Sequence, residues 1–207
     1  MDNDLLDNGS KLPLIEEFYT IQGEGFQTGK PAYFIRLGGC DIGCSWCDTK
    51  MSWQYGLHQL VDIDEIVAKA ASFPAKAVVV TGGEPTLYNL LPLTQKLKDA
   101  GIQTFIETSG AYPLTGIWDW ICLSPKKQSP PLPEIYPLAH ELKVIISDTQ
   151  KYDWAEECSK YVSPDCKLLL QPEWSKFKML IHEIVEYVKS NPKWNVSLQA
   201  HKFMKIP

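Results

Sequence analysis

The chain has 207 residues, 44% of them hydrophobic and 22% charged, with a formal net charge of -5. A globule of this length buries roughly 70 to 75% of its unfolded surface and builds a core without disulfide staples. No apolar run reaches the roughly 18 residues of a membrane span, and the net charge gives no general attraction to phosphate backbones. These values exclude a disordered chain, a helical membrane protein and a general nucleic-acid binder, so a small molecule is the expected ligand. The acidic start, Met1-Asp2-Asn3-Asp4, lacks the basic head and apolar stretch of a secretion signal, which points to the cytoplasm.

Residues 1–12 read as a flexible start. Residues 13–20 and 32–37 read as strands around the glycine-rich turn Gln22-Gly23-Glu24-Gly25, and a cysteine-bearing loop follows. Asp62 or Asp64 can cap a helix that ends near Ser72, with Ile63, Ile66, Val67 and Ala70 at the spacing of a buried face. The short apolar run 77–80 ends in Thr81-Gly82-Gly83-Glu84-Pro85. A second helix runs through Leu97 and stops at Gly101. Residues 102–107, 119–123, 141–146 and 167–170 read as further strands, with a helix between the last two and a proline-rich loop over 129–137. The final helix, 175–190, puts Phe177, Leu180, Ile181, Ile184, Val185 and Val188 on one face, and 194–199 closes the chain as a strand. Short apolar strands alternating with amphipathic helices predict an α/β fold in one domain over 1–207, with mostly parallel strands arranged either as an α/β sheet or as an open, partial β/α barrel.

Three of the six cysteines lie within eight residues, in Cys40-Asp41-Ile42-Gly43-Cys44-Ser45-Trp46-Cys47. Disulfide frameworks belong mainly to small secreted chains, whereas clustered thiols in a cytosolic chain point to metal. The spacing C-x3-C-x2-C lets three thiolates hold three irons of a 4Fe-4S cubane and leaves the fourth iron open to a cofactor. A zinc site with His58 as fourth ligand, or three buried thiols without metal, is the competing reading. Cys122, Cys158 and Cys166 are scattered and read as core.

That spacing, with the aromatic Trp46 before the last cysteine, resembles the radical S-adenosylmethionine (SAM) enzymes. Gly82-Gly83-Glu84, which in isolation is as well read as a chain reversal, resembles the superfamily's segment that receives the SAM ammonium group. Seven further segments, Gln22-Gly23-Glu24-Gly25, Tyr33 through Cys40, Cys47-Asp48-Thr49, Glu107-Thr108-Ser109-Gly110, Ser124-Pro125-Lys126, Glu141-Leu142-Lys143 and Gln171-Pro172, resemble the 7-carboxy-7-deazaguanine synthases from about residue 15 to the end.

The resemblance implies conversion of 6-carboxy-5,6,7,8-tetrahydropterin to 7-carboxy-7-deazaguanine with loss of ammonia, by homodimers that use SAM catalytically with Mg2+. It implies reduction by a low-potential donor such as flavodoxin or ferredoxin. Cys40, Cys44 and Cys47 would hold the cluster. SAM would meet Trp46, Cys47, Asp48, Gly82, Gly83, Glu84, Thr108, Ser124, Pro125, Lys126, Gln171, Pro172, Glu173 and Trp174. Substrate would meet Ile21, Gln22, Gly23, Glu24, Arg36, Thr81, His201 and Pro207, with residues 199–207 as a tail closing the site. Thr49 would ligate Mg2+; it reads equally as a helix cap. Arg36 presents a planar fork suited to the substrate carboxylate and reads otherwise as a structural ion pair. Lys126 and Ser124 could be a surface charge and a turn residue, and Pro172 a helix starter. No general base is assigned.

The chain departs from the family at Ser109, where Asn is common, and at Glu173-Trp174, where Met-Asp is common. The rival functions are a radical activating enzyme acting on a protein glycine and a non-catalytic cluster or zinc module.

Overall fold

β-Branched and leucine-rich runs too short for helices pair edge to edge, and the amphipathic stretches between them carry the chain back across one face. The protein, seen in a computed structural model, is described at residue 6 and at residues 8–54, 56–148 and 151–207. Strands β1 (Lys11–Ile21), β2 (Pro31–Leu37), β3 (Gln59–Asp62), β4 (Ala77–Gly82), β5 (Gln103–Thr108), β6 (Trp120–Leu123), β7 (Glu141–Ile146), β8 (Lys167–Pro172) and β9 (Trp194–Val196) form one nine-stranded sheet. Its order is β3-β1-β2-β4-β5-β6-β7-β8-β9. From β2 to β9 every neighbouring pair is parallel, whereas β1 is antiparallel to both β2 and β3. β3 and β9 stand at opposite ends of the order, so the sheet curls without closing. The architecture is α/β, an open and mostly parallel β/α barrel, one of the two arrangements that the alternation of elements predicts.

Helices α1 (Ile63–Ala71), α2 (Leu91–Asp99), α3 (Lys151–Ser159) and α4 (Phe177–Ser190) cover the sheet, and a short α5 (Ala200–Met204) ends the chain. Asp62 caps α1 by accepting a hydrogen bond from Asp64 N at 2.9 Å, one of the two caps the sequence offers. Gly101 ends α2 with φ at +71°, the left-handed turn that glycine adopts freely.

Alternate residues of each strand face the helices. Tyr33, Ile35, Leu37, Val78, Val80 and Ile106 meet Ile63, Ile66, Leu93 and Leu97 in one core, while Leu142, Val144, Ile146 and Leu170 meet Ala155, Leu180 and Ile184 in a second. On the other face, Ala32, Phe34 and Val79 pack with Phe18, Ala77 and Phe105 as an apolar plug inside the barrel. Among the described residues no helix is long and apolar enough to cross a membrane.

Several boundaries differ from the sequence reading. The flexible start is shorter than expected: Lys11 and Leu12 pair with Asp62 and Val61, and Leu12 is fully buried. The rest of that expectation, for residues 1–5 and 7, lies outside the described residues. β3 is an unanticipated strand, four residues long and without a fully buried side to mark it. The closing strand stops at Val196 rather than residue 199, and α4 begins at Phe177 after a single turn, Trp174–Lys176. Val185 faces outward from α4, and Tyr187 packs on the core instead. The proline-rich loop buries Ile135 and Tyr136 in the second core, which accounts for its order.

Candidate active site

Parallel strands all point their carboxyl ends to one rim, and in such barrels the loops at that rim carry the chemistry. Here the rim opens into a cavity of about 430 Å3, within the range of small-molecule sites. Phe18 and Phe34 of the apolar plug form part of its lining. Above them the inward positions turn polar, with Arg36 on β2, Thr81 on β4, Glu107 on β5, Lys143 on β7 and Gln171 on β8 all lining the cavity.

These side chains satisfy one another. Lys143, only 5% exposed, donates to Glu24 Oε2 at 2.6 Å and stands 3.9 Å from Glu107 Oε1. Glu24 also accepts from Gln171 Nε2 at 3.0 Å and Gln199 Nε2 at 2.8 Å. Burial opposes ionisation of Glu24, but the Lys143 charge and these donors outweigh it and hold the carboxyl down at about 2. Lys143 likewise stays protonated: burial alone would lower it, and the Glu107 and Glu24 charges raise it well above the usual lysine value. Glu107 accepts from Gln22 Nε2 at 3.0 Å and from Thr81 Oγ1 at 3.1 Å, so both carboxylates are fixed in place.

The cysteine loop leaves β2 and is pinned by backbone. Gly83 N donates to Leu37 O at 2.8 Å and Glu84 N to Gly39 O at 2.9 Å, which lays the Gly-Gly-Glu turn against the residues leading into Cys40. A Cβ at Gly83 would lie 2.1 Å from Gly39 O, so only glycine permits this approach. The Glu84 carboxylate is buried and accepts five hydrogen bonds, from Thr86 N, Thr86 Oγ1, Thr108 Oγ1, Ser109 N and Ser109 Oγ. A carboxylate offers about four lone-pair sites. Glu84 therefore ties the β4 and β5 rims together, and the backbone of its turn faces the cavity.

Cys40, Cys44 and Cys47 line one wall. Burial pushes the Cys40 and Cys44 thiols up, while N–H groups reach all three sulfurs: the Ile42 backbone to Cys40, Thr49 N to Cys47 at 3.4 Å and Gln128 Nε2 to Cys44 at 3.3 Å. Among the described residues no three His, Cys, Asp or Glu side chains converge on a single ion. A cubane takes one thiolate on each of three irons, and three thiols on one cavity wall are the donor set that a 4Fe-4S cluster would use. His58, the fourth ligand a zinc site would need, packs against Gly38 and does not line the cavity.

The structure brings nearly all of the anticipated residues to this one cavity. Ile21, Gln22, Gly23, Glu24, Arg36, Trp46, Asp48, Thr49, Thr81, Gly82, Gly83, Glu84, Thr108, Ser124, Lys126, Gln171, Pro172, Glu173, Trp174, His201 and Pro207 line it with the three cysteines, and Pro125 does not. Arg36 lines the cavity while its Nε pairs with Glu16 at 2.7 Å. Thr49 precedes the Lys50–Trp53 turn but its side chain makes no capping hydrogen bond. Lys126 lies 5.4 Å over the Trp46 ring, and burial lowers its ammonium below the usual lysine value. The tail is docked through Ala200 N to Gly23 O at 2.8 Å and through Lys202 to Asp48 at 2.8 Å. Glu107 and Lys143 were given no role from the sequence beyond their place in segments that resemble the family, and Lys202 was not singled out. A charged residue within a short strand of a sheet buried on both faces is the signal that finds the first two.

Residues 34–122 match the radical SAM superfamily. The chain is 55% identical over 98% of its length to a 7-carboxy-7-deazaguanine synthase of Flavobacterium psychrophilum, covering 96% of that protein. It is 46% identical over 94% of its length to the namesake of Synechocystis sp., covering 93% of it. Its fold matches the crystal structure of QueE from Escherichia coli with a TM-score of 0.82, at 29% identity and over 97% of this chain and 99% of that one. With a cysteine loop, a polar cavity and full-length similarity in agreement, the chain belongs to the 7-carboxy-7-deazaguanine synthase family of radical SAM enzymes.

Proposed function

We propose that the protein contracts the ring of 6-carboxy-5,6,7,8-tetrahydropterin to give 7-carboxy-7-deazaguanine and ammonia. The observation that carries this is the convergence of a three-cysteine loop and a buried belt of paired polar side chains on one cavity. Cys40, Cys44 and Cys47 hold a 4Fe-4S cluster, and SAM lies along Trp46, Gly83, Ser124, Lys126 and Gln171. Cluster and SAM together supply a radical able to take hydrogen from carbon.

The chain's own groups bind and orient. Arg36 offers its guanidinium to the substrate carboxylate. Gln22, Glu24 and Thr81 meet the pterin's polar edge, held in register by Lys143 and Glu107. The hydroxyl of Thr49, not spent on capping, would offer an oxygen ligand to a magnesium ion, which would supply positive charge for that carboxylate. Asp48 is kept ionised: burial would raise its carboxyl, and Lys202 overrides that and lowers it. This pair and the His201 ring against Gly23 hold the tail over the site and exclude water. The working unit is a homodimer served by a low-potential electron donor.

The test is anaerobic reconstitution with iron and sulfide, followed by dithionite, SAM, Mg2+ and the pterin, with products read by mass. Formation of 7-carboxy-7-deazaguanine without consumption of SAM is the expected result. 5'-Deoxyadenosine without that product would overturn the substrate assignment, and no SAM cleavage would overturn the enzymatic reading.

A further inference from the structure

The chain leaves β6 through a tight turn in which Lys126 and Ser129 bridge across Lys127 and Gln128, Ser129 N donating to Lys126 O at 3.2 Å. The turn sets two side chains on the cysteine loop. Lys126 reaches the cavity over Trp46, whereas Gln128 does not line the cavity and donates Nε2–H to Cys44 Sγ at 3.3 Å. Cys44 is 7% exposed whereas Gln128 is exposed, so the contact is shielded from water on its sulfur side only. The Cys47 sulfur receives its hydrogen from the backbone of Thr49, which no side-chain exchange removes. The donor to Cys44 is a side chain and can be exchanged.

We propose that Gln128 is a positioning residue that sets the reduction potential of the cluster through its hydrogen bond to the Cys44 sulfur. The inference rests on the reading of Cys40, Cys44 and Cys47 as the cluster ligands. Reduction adds one electron from a low-potential donor, and the added negative charge spreads onto the ligand sulfurs. An N–H aimed at one sulfur stabilises the reduced form more than the oxidised form and so raises the potential. Gln128 therefore makes the cluster easier to reduce.

Wild type, Q128M and Q128E are loaded anaerobically with iron and sulfide, and the signal of the reduced cluster is followed by electron paramagnetic resonance while dithionite is titrated against mediator dyes. Methionine keeps the length of the side chain without the donor, and Gln128 is exposed enough that the fold is expected to tolerate it. At a fixed poise the ratio of reduced to oxidised cluster falls about tenfold in Q128M, equal to about 59 mV for one electron. It falls further in Q128E, where a negative charge replaces the donor. Coincident midpoints for loaded wild type and Q128M would overturn the proposal. Loss of the cluster in Q128M alone would assign Gln128 to loop assembly and overturn it too; failure of wild type to load would overturn the cluster reading itself.

Discussion

Lys143 carries a full positive charge on an inward face of the sheet, where an ammonium is tolerable only because Glu24 and Glu107 neutralise it. Removing one partner of such a buried pair leaves the other without compensation, at a cost of about 3 kcal/mol. E24Q and K143M should each lose roughly that much in urea denaturation, and the double variant should lose less than the sum of the two. The pH dependence has a definite sign. Because the Glu24 carboxyl is depressed in the folded protein from 4.5 to about 2, its contribution is complete above pH 4.5 and is lost as pH falls through that interval toward about 2. Wild type should therefore lose stability over that window faster than E24Q, a difference visible in denaturation curves taken at successive pH values. The cysteines and Gly82-Gly83-Glu84 were legible in sequence because their spacing is local. The Glu24–Lys143–Glu107 group was not, since its members are separated by 119 and 36 positions and are brought together by the register of β5 and β7 and by the turn after β1.

At the scale of elements, the rim loops are held by close backbone approaches that glycine alone allows. G83A should displace the cysteine loop, because its methyl would meet Gly39 O; SAM affinity falls at least tenfold by calorimetry while the sheet stays folded by circular dichroism. G101A is the contrasting case, with open space around the added carbon and only the left-handed φ to pay for. It should cost about 1 kcal/mol of stability and leave SAM affinity unchanged. G23A tests the tail, since its Cβ would lie 2.3 Å from His201 Nδ1. Pushing α5 away from the rim should raise KM for the pterin about tenfold, with cluster content unaltered. The periodic elements α1 and α4 were readable from their apolar spacing, whereas β3 was not, because a short strand with half-buried residues on both faces leaves no alternation to read.

Over the whole molecule, one sheet connects two apolar cores that lie against different helices. Leu97 and Leu170 are fully buried, one in each core, and truncation of either to alanine should cost about 3 kcal/mol. Their effects should add to within about 0.5 kcal/mol, as expected for side chains with no shared neighbours, and both variants should still unfold in one transition because the strands between them are continuous. The α/β alternation was legible from the order of elements, while the choice between a flat sheet and an open barrel was not, since it depends on how far the sheet curls and how far apart β3 and β9 end up. That opening has a bearing on solubility. A sheet with two free margins offers unpaired backbone to any passing strand, and here the end strands β3 and β9 have only four and three residues, while β3 pairs with only Lys11–Leu14 of β1 and, among the described residues, leaves the rest of that strand without a strand partner on this side. The end strands give an incoming chain too few hydrogen bonds to hold, so the uncovered stretch of β1 is the margin at which an added strand would pair.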